Sequence, residues 1–419
     1  MASMSRLEKL ILLANFLFLL ALLVTGVNKS KAISDFRDYH RASILLHEHK
    51  DIYQYEEIKD LQDKYTLDDL FKNPDLLNKL DSLRGNVASY IYPPTFATLL
   101  IPISYLSYEN ASLIFSLINF ACLIGSLYLM KEMLYPSRFT YILFFTLLFG
   151  FRFLENHVNN NQVAFILMYL ILLALSSKNN YITGLSLSLA VIIKLTPLVF
   201  LLFLFYKRRV KAILIFFLGL VFWAGIPLLD GYDYGVQNWA NWFDMVLLSA
   251  MKNPVFRAWK NNQSLIATLA KYFLEGADPV NQMLFRMPFY SLSMESVKLV
   301  FNFLALLIVV PLFRKYKNGI DTNQNIAALF ILSVIFSGIS WIHTFSFLIF
   351  PLGYLCKRVS TTGYKWRKIL FFSLGGLVVV TGKSICGNFL DSFFLMYSLL
   401  LYISLGLYFI ILSLPRQEA

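Results

Sequence analysis

Long apolar runs recur from one end of this chain to the other, and no other feature limits its fold so tightly. Residues 8–26 are almost wholly Leu, Ile, Val, Ala and Phe. Comparable runs fall at 109–130, 139–152, 162–177, 180–194, 197–206, 211–229, 298–313, 325–341, 344–356, 367–384 and 391–413. A run of roughly 20 apolar residues crosses the hydrocarbon core of a bilayer as a helix, because every backbone N–H and C=O must find its partner within the chain. The pattern predicts an all-α polytopic membrane protein with about twelve transmembrane helices, several shorter than a straight crossing requires. Composition agrees, with 58% hydrophobic and 15% charged residues, against about 25% charged in soluble domains.

Charge then sets orientation. The formal net charge is +12, but the cations stand in short clusters beside apolar runs: Lys131, Arg138, Lys178, Lys207 to Arg209, Arg314-Lys315, Lys357-Arg358, Arg367-Lys368 and Arg416. Such clusters mark cytoplasmic loops and anionic lipid rather than nucleic acid. Both termini are then cytoplasmic, at the plasma (inner) membrane. Parity makes 95–107 an interfacial or re-entrant helix and breaks 180–206 into two passes at Lys194 to Pro197, where the proline removes a backbone donor. The N-terminal run is followed by Asn28 to Lys31 without a small-x-small cleavage site, and reads as the first span. Cys122, Cys356 and Cys386 all lie in apolar runs and read as core residues, with no metal or disulfide framework.

With that orientation every polar, non-basic segment falls on the outer face, including two long loops at 27–94 and 230–297 within one integral-membrane domain over 1–419. Long loops of this kind are uncommon unless functional. They and the shorter turns bring carboxylates (Asp35, Asp38), amides (Asn159 to Gln162, Asn261 to Gln263) and cations (Arg152, His157, Lys194, Arg257, Lys260, His343) to the same face. Asp35 and Asp38 are three residues apart, a spacing that puts both on one side of a helix. Lys194 stands within an apolar block, where a charge is costly unless it reaches the interface or meets an anion. A lipid-linked phosphate held by cations, with an aspartate removing the proton from an acceptor hydroxyl, fits this inventory. There is no Gly-rich phosphate loop and no carboxylate pair of the metal–nucleotide type.

Several segments, in order, resemble glycosyltransferase family 87, the polyprenyl-phosphate-mannose-dependent mannosyltransferases of the GT-C superfamily. Asp35-Phe36-Arg37-Asp38-Tyr39 resembles the D-x-x-x-Y at the start of the family's first loop. Asp51-Ile52-Tyr53 resembles its Asp-Pro-Tyr element, and Tyr90-Ile91-Tyr92-Pro93-Pro94 its Y-x-Y-P-P element. Lys194-Leu195-Thr196-Pro197 is similar to K-x-x-P, Asn262-Gln263-Ser264-Leu265 to N-Q-S-L, and Ser340-Trp341-Ile342-His343 to the start of S-W-x-H-H. Departures are Asn161 for the usual Gly before Gln162, Ala164 for a following Asn, and Thr344 for the second His.

The resemblance implies a GT-C-type fold and metal-independent, inverting transfer of a hexose, mannose first, on the non-cytoplasmic face. The donor is a polyprenyl-phosphate sugar and the acceptor a glycan or glycolipid, with membrane lipids as the other partners and no cofactor. Asp35 is then the catalytic base. Lys194, His343 and Arg257 lie at the donor phosphate, and Asp38, Tyr39, Tyr92, Gln162, Asn262 and Gln263 bind substrate. The residues alone leave two alternatives: an enzyme resembling O-antigen ligases and polymerases, or a lipid-linked sugar flippase or transporter.

Overall fold

A computed structural model describes residues 5–53, 64, 73–76, 90–134, 139–248, 258–274, 289–361 and 364–416. No strand forms among them, only an isolated bridge between Leu274 and Leu292. The helices needed below are α1 (Arg6–Lys29), α2 (Phe36–His47), α3 (Pro94–Ser104), α4 (Tyr108–Leu134), α5 (Phe139–Asn160), α6 (Ala164–Ser176), α7 (Asn180–Ile193), α8 (Leu201–Tyr206), α9 (Val210–Gly225), α10 (Tyr232–Asn241), α11 (Leu265–Phe273), α12 (Met294–Asn318), α13 (Thr322–Ile335), α14 (Ile349–Thr361), α15 (Lys365–Val380), α16 (Lys383–Met396) and α17 (Leu399–Ser413).

The chain is an all-α membrane protein. Among the described residues five helices are long and apolar enough to cross a bilayer: α1, α4, α5, the stretch Val210–Asp230, and α12. A sixth arises if α15 and α16 are taken as one broken span, bent by 92°. The remaining apolar helices have 10–17 residues. At 1.5 Å per residue these fall short of a hydrocarbon core about 30 Å thick. Several expected spans are thus helices too short for a straight crossing, packed within the bundle. α13 is the clearest case, since every residue from Gln324 to Ile335 is buried against protein.

Two segments differ from the sequence reading. The helix expected over 139–152 continues to Asn160, so the polar residues from Arg152 to Asn159 ride on α5 instead of forming a loop. The expected span 391–413 is broken at Ser398, whose φ of 52° and ψ of 41° are left-handed and end one helix before the next begins. The piece before it, α16, is itself kinked at Gly387 (φ 78°), a conformation that a residue bearing Cβ rarely adopts.

α5 is the hub. It packs against α1, against the tight turn Ile342–Leu348, and against α14 and α15. On the other side α7 lies across α9 and α6. The α7–α9 approach is close enough to need Gly184, where a Cβ would meet Ile215 Cγ2 at 2.6 Å and the Phe216 backbone nitrogen at 2.8 Å. α2 packs on α3 and α4 through aromatic contacts: Tyr39 meets Phe96 of α3 edge-on at 5.2 Å, and Phe36 stacks on Phe115 of α4 (centroids 4.8 Å apart). This junction of α2, α3 and the end of α5 frames the cavity described next.

Candidate active site

The chain leaves α1 and is tied down at once. The Ser34 N–H donates to the Tyr108 hydroxyl (3.1 Å), which in turn donates to the Ala32 carbonyl (3.0 Å). Asp35 stands immediately before α2, yet its carboxylate caps nothing. It accepts instead from the side-chain amide nitrogen of Gln162. Asp35, Asp38 and Tyr39 follow the i, i+3, i+4 rule of one helical face, and all three line a cavity of about 380 Å³.

Gln162 is oriented by its neighbours. Its carbonyl oxygen accepts from the Tyr39 hydroxyl at 2.6 Å and faces the Tyr92 hydroxyl at 3.4 Å, and the two phenol oxygens stand 3.0 Å apart. Reversing the amide would set a carbonyl against the Asp35 carboxylate, so the network dictates which end faces which. Burial pushes the Asp35 carboxyl above the usual carboxylate range, against the opposing pull of the Gln162 hydrogen bond and the Arg37 guanidinium.

Tyr92 reaches the cavity because its turn is locked. Tyr90 donates to the Pro93 carbonyl (2.9 Å), and the buried Tyr53 donates to the carbonyl of Tyr92 itself (2.8 Å). Asp51 shapes the turn that presents Tyr53 by accepting from the Tyr53 N–H (2.9 Å). Pro94 then opens α3 at a position where its missing N–H costs nothing.

Lys194 lines the same cavity. Pro197 cannot donate to the Ile193 carbonyl, so α7 ends at Ile193 and Lys194 takes an extended conformation (φ −154°, ψ 132°). Its ammonium lies 5.8 Å from the centre of the Tyr92 ring. Among the described residues no carboxylate pairs with it and no hydrogen bond engages it.

The cavity is also lined by His343. The segment carrying it is clamped by Asn262, whose amide donates to the Gly338 carbonyl (3.0 Å) and whose carbonyl accepts from the Ser340 N–H (2.9 Å). The Gln263 N–H adds a bond to the Ser340 carbonyl (2.8 Å).

Eight of the residues singled out in the sequence therefore share this cavity: Asp35, Asp38, Tyr39, Tyr92, Gln162, Lys194, Asn262 and His343. Gln263 does not face it. Its amide donates to the carbonyls of Lys260 (2.6 Å) and Leu395 (2.7 Å), so its contacts are those of a brace. Arg257 lies outside the described residues. Arg152 and His157 are elsewhere, the first paired with Asp391 and the second stacked on Phe165.

Sequence reasoning did not single out the remaining walls: Trp259 and Trp341, with Ile91 and Ile339. Trp341 is embedded in the Ser340-to-His343 motif, which was its only signal. Lys271 was missed altogether. It is fully buried on α11 and donates to the carbonyls of Asn262 and Leu395 (3.0 Å each) and of Lys260 (3.4 Å). Burial pulls this ammonium down to about 7. It ties together the turn that carries Trp259 and Asn262. A cation between Leu269-Ala270 and Tyr272-Phe273 was the clue.

Chemically, the cavity gathers a carboxylate of raised proton affinity, an ammonium and an imidazole between aromatic and aliphatic walls. Such a set can take a proton from a hydroxyl and hold an anion. Among the described residues no group of three or more His, Cys, Asp or Glu side chains is placed to hold a metal ion.

The family model described as Glycosyltransferase family 87 matches residues 90–338. The match takes in Tyr92, Gln162, Lys194 and Asn262, and stops short of His343. No curated protein and no solved structure matches the chain.

Proposed function

Because the chain belongs to glycosyltransferase family 87, one of the GT-C type glycosyltransferases, we propose that it moves a hexose, mannose before others, from a polyprenyl-phosphate sugar to a glycan or glycolipid acceptor. The reaction proceeds with inversion, without a metal, at the non-cytoplasmic face of the membrane. About twelve passes within one domain, with both termini in the cytoplasm, belong to the same reading. One observation carries it. Asp35 and the carboxylate-free ammonium of Lys194 face a single cavity whose other walls are largely aromatic and aliphatic.

In this mechanism the donor phosphate lies against Lys194 and His343, and the sugar projects towards Asp35. An acceptor hydroxyl gives its proton to the Asp35 carboxylate as its oxygen attacks the anomeric carbon from the side opposite the phosphate. The bond from that carbon to the phosphate oxygen breaks, and its electron pair leaves with the polyprenyl phosphate. The cations stabilise charge where it develops. Tyr39, Tyr92 and Gln162 hold the base in place, a pre-organisation on which a misplacement of about 1 Å bears heavily.

The deciding experiment is transfer by purified protein in nanodiscs, with labelled polyprenyl-phosphate mannose as donor, a membrane extract as acceptor source and EDTA throughout. Label should move to a new product with wild type. Lys194→Ala should weaken binding of the donor lipid by at least about tenfold, the scale of one lost charge-assisted contact. Donor binding that is unchanged in Lys194→Ala would remove the cation from the phosphate site.

A pH profile tests the base separately. A base acts only when ionised, so activity is absent at low pH and rises through the pKa of Asp35. Since burial raises that pKa, the rising limb should lie above the ordinary carboxylate value of about 4. Gln162→Leu removes a donor that favours the charged form, and the limb should then move to higher pH. A limb at the same pH in both proteins would assign it to some other group.

A further inference from the structure

A second cavity, of about 480 Å³, backs onto the first. The two share walls one residue thick. Along the turn after Ala258, Trp259 and Asn262 line the first cavity and Lys260 and Asn261 the second. In the later segment Trp341 and His343 face one and Ile342 the other. The end of α5 repeats the division, with Glu155, Asn156 and Asn159 on the second cavity and Gln162 just beyond on the first.

The chemistry of the two spaces is opposite. Where the first has aromatic and aliphatic walls, the second has only Ile342 and Leu395 as apolar lining; the rest are amides, hydroxyls, cations and carboxylates. Its far wall is α16. After the Gly387 kink, Asn388, Asp391, Ser392 and Leu395 follow the i, i+3, i+4, i+7 pattern of one helical face. Ile385, Phe389 and Leu390 on the same helix are exposed. A helix with Asp391 and Ser392 half-buried towards the cavity, Asn388 exposed at its mouth and apolar residues exposed beside them, bent by 92° from its predecessor, suits the plane of the membrane interface.

Most of the charges here are already engaged. Arg152 pairs with Asp391 at 2.5 Å, Lys260 donates to Ser392 (3.2 Å), and Ser384 donates to Glu155 (3.5 Å). The side-chain amides of Asn156, Asn159, Asn261 and Asn388 make no hydrogen bond among the described residues. Each amide offers donors beside an acceptor. That pairing matches the adjacent hydroxyls of a pyranose, each of which gives and takes one hydrogen bond, and it suits neither an acyl chain nor a phosphate.

We propose that this second cavity is a binding site for a neutral oligosaccharide, the inner sugars of the acceptor chain, held at the membrane surface while its terminal hydroxyl reaches over the Trp259–Asn262 wall to Asp35. The identification of the ligand as acceptor rests on the function proposed above. The cavity's affinity for oligosaccharide does not.

The test uses full-length protein in nanodiscs with a panel of neutral manno- and gluco-oligosaccharides from trisaccharide to hexasaccharide, read by saturation-transfer NMR. Binding of the donor lipid is measured in parallel. Wild type should bind at least one member of the panel. The double variant Asn156→Ala/Asn388→Ala should bind it about tenfold more weakly, as expected for losing two hydrogen bonds to sugar hydroxyls, with donor-lipid binding unchanged. Lys194→Ala should show the reverse pattern. Oligosaccharide binding intact in the double variant, or absent from wild type that binds donor lipid normally, would overturn the proposal. So would displacement of the oligosaccharide by inorganic phosphate. Oligosaccharide binding sensitive to the double variant in protein that binds no donor lipid would support this cavity and sink the donor reading.

Discussion

Asp35→Asn should leave the protein folded and able to bind donor lipid while lowering the rate of transfer by about 10²–10⁴-fold, the usual contribution of a positioned general base. The substitution keeps the size and planarity of the side chain and its partner Gln162, and removes only the ability to accept a proton. The neighbouring carboxylate is the internal control. Asp38 lines the same cavity, but it sits 3.8 Å from the Arg37 guanidinium near the surface, where such a pair is worth little. Asp38→Asn should cost less than about tenfold. A steady-state comparison of the two variants, with donor binding measured alongside, separates the roles. Equal losses in both, or full transfer by Asp35→Asn, would end the assignment of Asp35 as the base.

Much of the first cavity was legible because its residues follow rules that hold locally. Asp35, Asp38 and Tyr39 needed only helical spacing. The position of Lys194 needed only the missing N–H of Pro197, which ends α7 one residue before it. The Tyr90-to-Pro94 turn is written in its tyrosines and prolines. The roles of Asn262 and Gln263 could not be read the same way. Their amides are fixed by carbonyls and N–H groups far along the chain, at Gly338, Ser340 and Leu395. Spacing along the chain gives no hint of partners at such separations. Lys271 was hidden for the same reason, since the carbonyls that tolerate its burial come from two places in the chain, the Lys260–Asn262 turn and Leu395.

The bundle shows the matching limit at the level of whole helices. Hydropathy marks an apolar run without telling a segment facing lipid from one facing protein, and α13 is of the second kind throughout. Nor does it see a single left-handed residue. Ser398 is not a glycine and nothing around it signals a break, so 391–413 reads as one run although two helices meet there. The second cavity depends on that break, because it separates α16 from the next helix and lets Asp391 meet Arg152 on α5.

Asp391→Ala should be the most destabilising substitution in this part of the molecule. Arg152 is only 5% exposed. One guanidinium nitrogen donates to Asp391 at 2.5 Å and another to Thr381 at 3.1 Å. Removing the carboxylate leaves a buried cation without its counter-charge, a loss of about 3–5 kcal/mol when one partner of a buried pair is deleted. Thr381 cannot replace it, because it supplies one hydroxyl and that hydroxyl also donates to the Leu377 carbonyl at 2.6 Å. Asp391→Asn retains an acceptor and should lose less. The double variant Arg152→Met/Asp391→Leu removes both charges and should recover most of the loss, since a buried pair contributes less than the penalty for breaking it. Equilibrium unfolding by titrated SDS across the four proteins gives the cycle. If the single and double variants prove equally unstable, the damage is one of packing, and the ion pair is not what holds α16 against α5.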